Sequence, residues 1–185
     1  MIYAYDRLYL EKAQITLGWM FDFAVYELKY EIQEFYDMFI ISGIAGKFAK
    51  GDITTLVGRS GVELAYEVVD QTNHLSVQIE PHFTVNRSPE YWTGWALAYY
   101  QWYTSMQFSE ITGSIPIKKI VEMYDVYHEM DIMQAMSESL REAGIELTSD
   151  HLIELISYIE MNLVDVKKLR KHPRGYEYEE DEFFY

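Results

Sequence analysis

One run constrains this fold more than any other part of the chain: Ser88-Pro89-Glu90-Tyr91-Trp92-Thr93-Gly94-Trp95-Ala96-Leu97-Ala98-Tyr99-Tyr100-Gln101-Trp102-Tyr103. Serine caps a helix, proline suits its first position, and an acid there complements the positive helix end. Beyond that start, seven aromatic rings wind onto nearly every side of the predicted helix. A helix that is apolar all round is buried on several sides, so this one is expected at the centre of the fold. Base stacking would need basic neighbours, which the run lacks, so its rings read as core rather than as a stacking platform or cofactor box.

The flanking sequence supplies partners for such a helix. From Asp6, a plausible N-cap, to about Tyr30, Leu10, Ala13, Leu17, Met20, Phe21, Ala24, Val25 and Leu28 recur at three- and four-residue spacing. Ile32, Phe35, Tyr36, Phe39 and Ile40 repeat the pattern from near Glu31, ending at Ser42-Gly43 or continuing bent to Lys50. Ser60-Gly61-Val62-Glu63 has the form of a capping box and predicts a short helix to about Asp70. A short segment around Phe108 to Ile111 precedes a helix opened by Pro116, and further helices are expected from Asp131 and from Thr148-Ser149-Asp150. Leu75, Val77 and Ile79 alternate with polar residues, so the stretch near 75–85 is at most a short β element. The expectation is a mostly α, single compact domain of about six to seven helices over residues 1–175, with a C-terminal tail over 176–185.

Charge narrows the function. The 30 Asp and Glu against 15 Lys and Arg leave a formal net of −15, and residues before 167 carry all of it, with 25 acids and 10 bases. Nucleic-acid binding draws its affinity from basic residues displacing counterions, whereas a field of this sign steers and orients a basic protein partner. Solubility alone also accounts for acidic composition. There is no cysteine, which excludes disulfides, thiolate zinc sites and a cysteine nucleophile. Without a signal-like start or a run of ~20 apolar residues, a soluble, cytoplasmic protein with no membrane contact is expected.

Catalytic scaffolds are missing: there is no G-x-S-x-G elbow, P-loop or G-x-G-x-x-G. Metal binding would have to come from His151 with Glu154 or from the row Glu122, Asp125 and His128, against a dimetal site's need for two Glu-x-x-His units, so no metal and no cofactor are expected. Gly58-Arg59-Ser60-Gly61 places an arginine beside a helix start, an arrangement that holds an anion or is simply a turn. The chain reads as a binding protein rather than an enzyme.

Two C-terminal segments stand out. Lys167, Lys168, Arg170, Lys171 and Arg174 form a basic cluster, the one place where direct contact with a phosphate backbone is physically reasonable. After them, Glu177, Glu179, Glu180, Asp181 and Glu182 with Phe183, Phe184 and Tyr185 make an acidic and aromatic tail suited to a basic groove, or an end with no role. The helical pair from Asp131 to Val166 has a long turn and begins its second helix with acids, unlike a DNA-reading helix-turn-helix.

In Met20-Phe21-Asp22-Phe23-Ala24-Val25-Tyr26, Phe39-Ile40-Ile41-Ser42-Gly43-Ile44-Ala45 and the Ser88–Tyr103 run, the chain resembles a family of small proteins from bacterial mobile elements. The likeness spans roughly residues 1 to 130, and the Trp/Tyr-rich run is its specific motif. Some members carry a DNA-binding helix-turn-helix beyond it, whose place here is taken by the acidic helical pair and tail. Small acidic members lacking that reader resemble type II anti-CRISPR inhibitors. That resemblance implies binding to an RNA-guided Cas nuclease and a block of DNA recognition or cleavage. The alternative is an antitoxin-like or transcription-regulatory interaction module.

Overall fold

The computed structural model of this chain describes residues 3–73, 79, 81 and 87–127, all within the unit Met1–Ile145. Among the described residues there are eight α-helices, one 3-10 turn and no strand, so the fold is mostly α as expected. The stretch near 75–85, apart from Ile79 and Pro81, lies outside the described residues, as do the helices expected from Asp131 and Thr148.

Capping side chains set the helix starts. Asp6 accepts from the Leu8 N–H at 2.9 Å and opens a 3-10 turn, Arg7–Tyr9, that runs into α1 (Leu10–Tyr26). α2 (Ile32–Ile41) stops before Gly43, whose φ of +78° is the left-handed region that favours glycine, and α3 (Ile44–Ala49) starts immediately. The second apolar stretch is therefore two helices meeting at a glycine. Asp52 then accepts from the Thr55 N–H at 2.9 Å and caps a single turn, α4 (Ile53–Leu56), too short for apolar periodicity to reveal. α5 (Gly61–Asn73) begins with the predicted box: Glu63 accepts from the Ser60 N–H at 2.7 Å, while the Ser60 hydroxyl accepts from the Glu63 N–H at 3.2 Å. Ser88 accepts from the Tyr91 N–H at 3.0 Å and opens α6 (Pro89–Thr104). The segment near Phe108 is a helix, α7 (Phe108–Ser114), and α8 (Ile117–Tyr127) follows Pro116.

α6 is central, as its rings predict: 12 of its 16 residues are buried. Its largest partner is α1, and the two run antiparallel, with Asp22 beside Ser88, Gly18 beside Tyr91 and Tyr5 beside Trp102. Their backbones approach very closely where Gly94 faces α1, since a Cβ at Gly94 would lie 2.4 Å from the Leu17 carbonyl oxygen. On another side of α1, a Cβ at Gly61 would lie 2.4 Å from the Thr16 carbonyl oxygen, so the first turn of α5 is seated equally tightly. Helix axes usually stand 8–10 Å apart according to the side chains between them, and glycine removes the side chain altogether.

Helices α2, α3 and α7 are joined to this pair by rings. Phe21 of α1 meets Phe35, Tyr36 and Phe39 of α2 edge-on at 6.0 to 6.1 Å, while Phe108 of α7 meets Phe39 at 5.3 Å and Phe48 of α3 at 5.8 Å. Such edge contacts add about 0.5–1.5 kcal/mol each to the gain from burial. The Tyr36 hydroxyl, inside this cluster, donates to the Phe108 carbonyl at 2.8 Å and so fixes where α7 begins.

Gly94→Ala is expected to destabilise the protein by about 3 kcal/mol, because overpacking against rigid backbone sits at the upper end of its usual range. Gly46→Ala and Gly113→Ala meet nothing within 4 Å and are expected to stabilise their helices by about 0.5–1 kcal/mol. Thermal unfolding of the three variants checks this, and an unchanged Tm for Gly94→Ala contradicts the close approach.

Candidate functional site

Two polar surfaces emerge on this framework. The first is a shallow groove of about 400 Å³ along α5, lined by Arg59, Glu63, Tyr66, Glu67 and Asp70. The 63, 67, 70 spacing stacks three carboxylates on one helix face. Tyr66 lies among them, and its hydroxyl donates to the Ile79 carbonyl at 3.0 Å while accepting from the Ile79 N–H at 2.5 Å. A single phenol thus holds both backbone groups of Ile79 against α5.

Arg59 does not serve as an anion holder here. Its guanidinium pairs with Glu67, and the Glu63 carboxylate already occupies the helix start. The hydrogen bonds from the Ser60 backbone and side chain hold the Glu63 carboxyl below its ordinary value, with smaller help from Arg59. The groove therefore presents three carboxylates around one captive guanidinium, with Glu63 and Glu67 already engaged by groups of this chain.

The second surface lies where the end of α1 meets the start of α6. Ser88 donates its hydroxyl proton to Asp22 and accepts from the Tyr91 N–H, so one hydroxyl links a carboxylate to the cap of a helix. Tyr26, 46% exposed, donates to Glu90 at 2.9 Å. Arg87 lies 4.3 Å over the Tyr91 ring and donates to its hydroxyl, and the Tyr124 hydroxyl of α8 donates to the Arg87 carbonyl at 3.2 Å.

This arrangement shifts titrations in directions with clear causes. Asp22, only 9% exposed, is raised above the ordinary aspartate value by desolvation and by the charges of Glu90 and Glu27, against the lowering effect of the Ser88 hydrogen bond. Tyr26 is pushed up to about 12 by desolvation and by its bond to the Glu90 carboxylate. Sequence marked Arg59 beside one helix start and Ser88 and Glu90 at another but neither surface as a whole, although Asp22 inside the apolar run Met20–Val25 and the Glu63-Glu67-Asp70 spacing were available as signals.

The sequence-derived candidates fall elsewhere. Lys167, Lys168, Arg170, Lys171 and Arg174, the tail residues Glu177, Glu179, Glu180, Asp181, Glu182, Phe183, Phe184 and Tyr185, and the pair His151 and Glu154 all lie outside the described residues. Of the row Glu122, Asp125 and His128, only the Glu122 side chain is described; it is exposed, with the Lys119 ammonium 3.7 Å away. Among the described residues no helix is long and apolar enough to cross a membrane. Comparison with protein-family models, curated proteins and solved structures gives no match.

A raised carboxylate destabilises the fold when ionised, so the Asp22 penalty is absent below the unfolded value of about 3.9 and grows as pH rises through the folded one. Asn retains an oxygen for the Ser88 proton. Asp22→Asn is therefore expected to raise Tm at pH 7 and to match the parent protein below about pH 4. Paired thermal melts across that range check it, and a variant less stable at pH 7 contradicts the assignment.

Proposed function

We propose that this chain is a non-catalytic inhibitor that binds an RNA-guided Cas nuclease through carboxylate-rich surfaces and blocks DNA recognition or cleavage. The α5 groove is the observation that carries the reading: Asp70 shares a face with Glu67, which already holds the guanidinium of Arg59, while Glu63 on that face is committed to the helix start. Such nucleases hold nucleic acid in positively charged channels and read a short flanking motif with arginines. A surface that binds guanidinium competes for those groups.

Charge over the chain as a whole supports the same reading. Residues 3–73 and 87–127 contain 15 Asp and Glu against nine Lys and Arg. Asp6, Asp52, Glu63 and Glu110 among those acids accept backbone N–H groups at helix starts. Outside those residues the excess is steeper: residues 128–166 hold nine acids and one base, Arg141. The α5 face and, separately, the acidic sequence after α8 and the tail acids are the proposed sources of negative charge.

Binding to a purified nuclease–guide complex and cleavage of its target DNA test the proposal. Inhibition is expected, with affinity falling as salt rises. Glu67→Lys combined with Asp70→Lys is expected to weaken binding at least about tenfold, or ~1.4 kcal/mol. Removal of residues 176–185 is expected to weaken it further. A chain that neither binds the complex nor slows cleavage removes the proposal, while a double lysine variant that binds unchanged removes the groove from it.

A further inference from the structure

The inner side of the α1–α6 pair carries two carboxamides where apolar residues are expected. Gln14 is 1% exposed and Gln101 is fully buried. Gln14 shares its helix face with Leu10, Leu17 and Phe21, and Gln101 shares its own with Thr93 and Leu97. Phe21 touches α2, and the Gln101 amide donates to the Ala49 carbonyl of α3 at 3.2 Å and to the Met106 carbonyl at 3.3 Å, so both faces turn toward α2 and α3.

The antiparallel register brings the two carboxamides close. With Leu17 opposite Gly94 and Tyr5 bound to Trp102, Gln14 stands opposite a point near Leu97, one turn of α6 from Gln101. One turn is about 5.4 Å, within reach of two side chains of this length when a single small molecule lies between them. Their remaining atoms are complementary: the Gln14 Nε2 is a buried donor and the Gln101 Oε1 a buried acceptor, neither matched by protein. The Tyr5 hydroxyl is another such atom, both donor and acceptor, on a residue whose carbonyl accepts from Trp102, the neighbour of Gln101 in sequence, and burial raises its titration.

We infer that this seam is a binding site for an ordered internal water that accepts from Gln14 Nε2 and donates to Gln101 Oε1, with the Tyr5 hydroxyl as third partner. Water is the smallest ligand that donates and accepts together, and internal waters typically make about three hydrogen bonds to otherwise unmatched polar groups. The site fixes the axial position of α1 on α6 by polar geometry, which the glycine contact at Gly94 cannot do alone. It is independent of the proposed nuclease binding.

Water-selective NMR on the full chain is the test. The carboxamide protons of Gln14 are expected to show a cross-peak to a slowly exchanging water, and Gln101→Leu is expected to abolish it. A high-resolution crystal structure is expected to place a water oxygen within hydrogen-bond distance of Gln14 Nε2 and Gln101 Oε1. A direct bond between the two carboxamides, or a parent protein with no water cross-peak at Gln14, overturns the site even if the leucine variant fails to fold.

Discussion

Contact between helix backbones at Gly94 and Gly61 is the constraint on which the rest of this structure depends. With no side chain at either position, α1 is held between α5 and α6 at distances that any methyl group would violate. That closeness lets α6 bury 12 of its residues and still leaves its rings free to reach outward to α8 and the N-terminal segment. Tyr3 stacks on Trp102 with centroids 4.1 Å apart, and Ala4 donates to the Trp102 carbonyl at 3.0 Å, so the segment before α1 covers the far end of α6. A side chain at Gly94 would separate the pair and loosen each of these contacts together, because packed interiors transmit displacement rather than absorb it.

Much of this was legible in sequence, and what was missed has a common reason. The capping residues Asp6, Ser60, Glu63 and Ser88 could be read because a cap is a local event, decided by a side chain and a backbone amide two or three residues away. The centrality of α6 could be read because rings on all sides leave no exposed face. Gly18, Gly61 and Gly94 could not be read in the same way. A glycine inside a helix looks like a weakness of about 1 kcal/mol until the backbone that approaches it is known, and that backbone comes from α1 for Gly61 and Gly94 and from α6 for Gly18, some 40 to 80 residues away. The groove on α5 had a local signal in its acid spacing, but its Tyr66 clasp on Ile79 is a longer-range fact.

Capping and charge are linked in a way that composition conceals. Net charge treats all carboxylates alike, but Asp52 and Glu63 are committed to helix starts, held in the ionised form by hydrogen bonds that lower both titrations. Their charge is set against helix dipoles and is less available to an outside partner. The acids that matter for association are those whose oxygens are not spent locally. This shifts attention from the total of −15 to where the uncommitted part lies.

Asp22 shows why a carboxylate persists where it is disfavoured. Ser88 has one hydroxyl proton, and a proton aimed at Tyr91 would meet an N–H head-on and abolish the cap. An acceptor at position 22 draws that proton away and leaves a lone pair for the helix start. Any residue without an acceptor there would leave the hydroxyl free to rotate, so the function of the group is orientation and its charge is incidental to the cap. Desolvation and the nearby Glu90 and Glu27 then make the ionised form unfavourable without altering the direction of the Ser88 proton. The start of the central helix is therefore defined by hydrogen-bond direction, while the field around it is set by neighbouring acids, and the two can be changed separately.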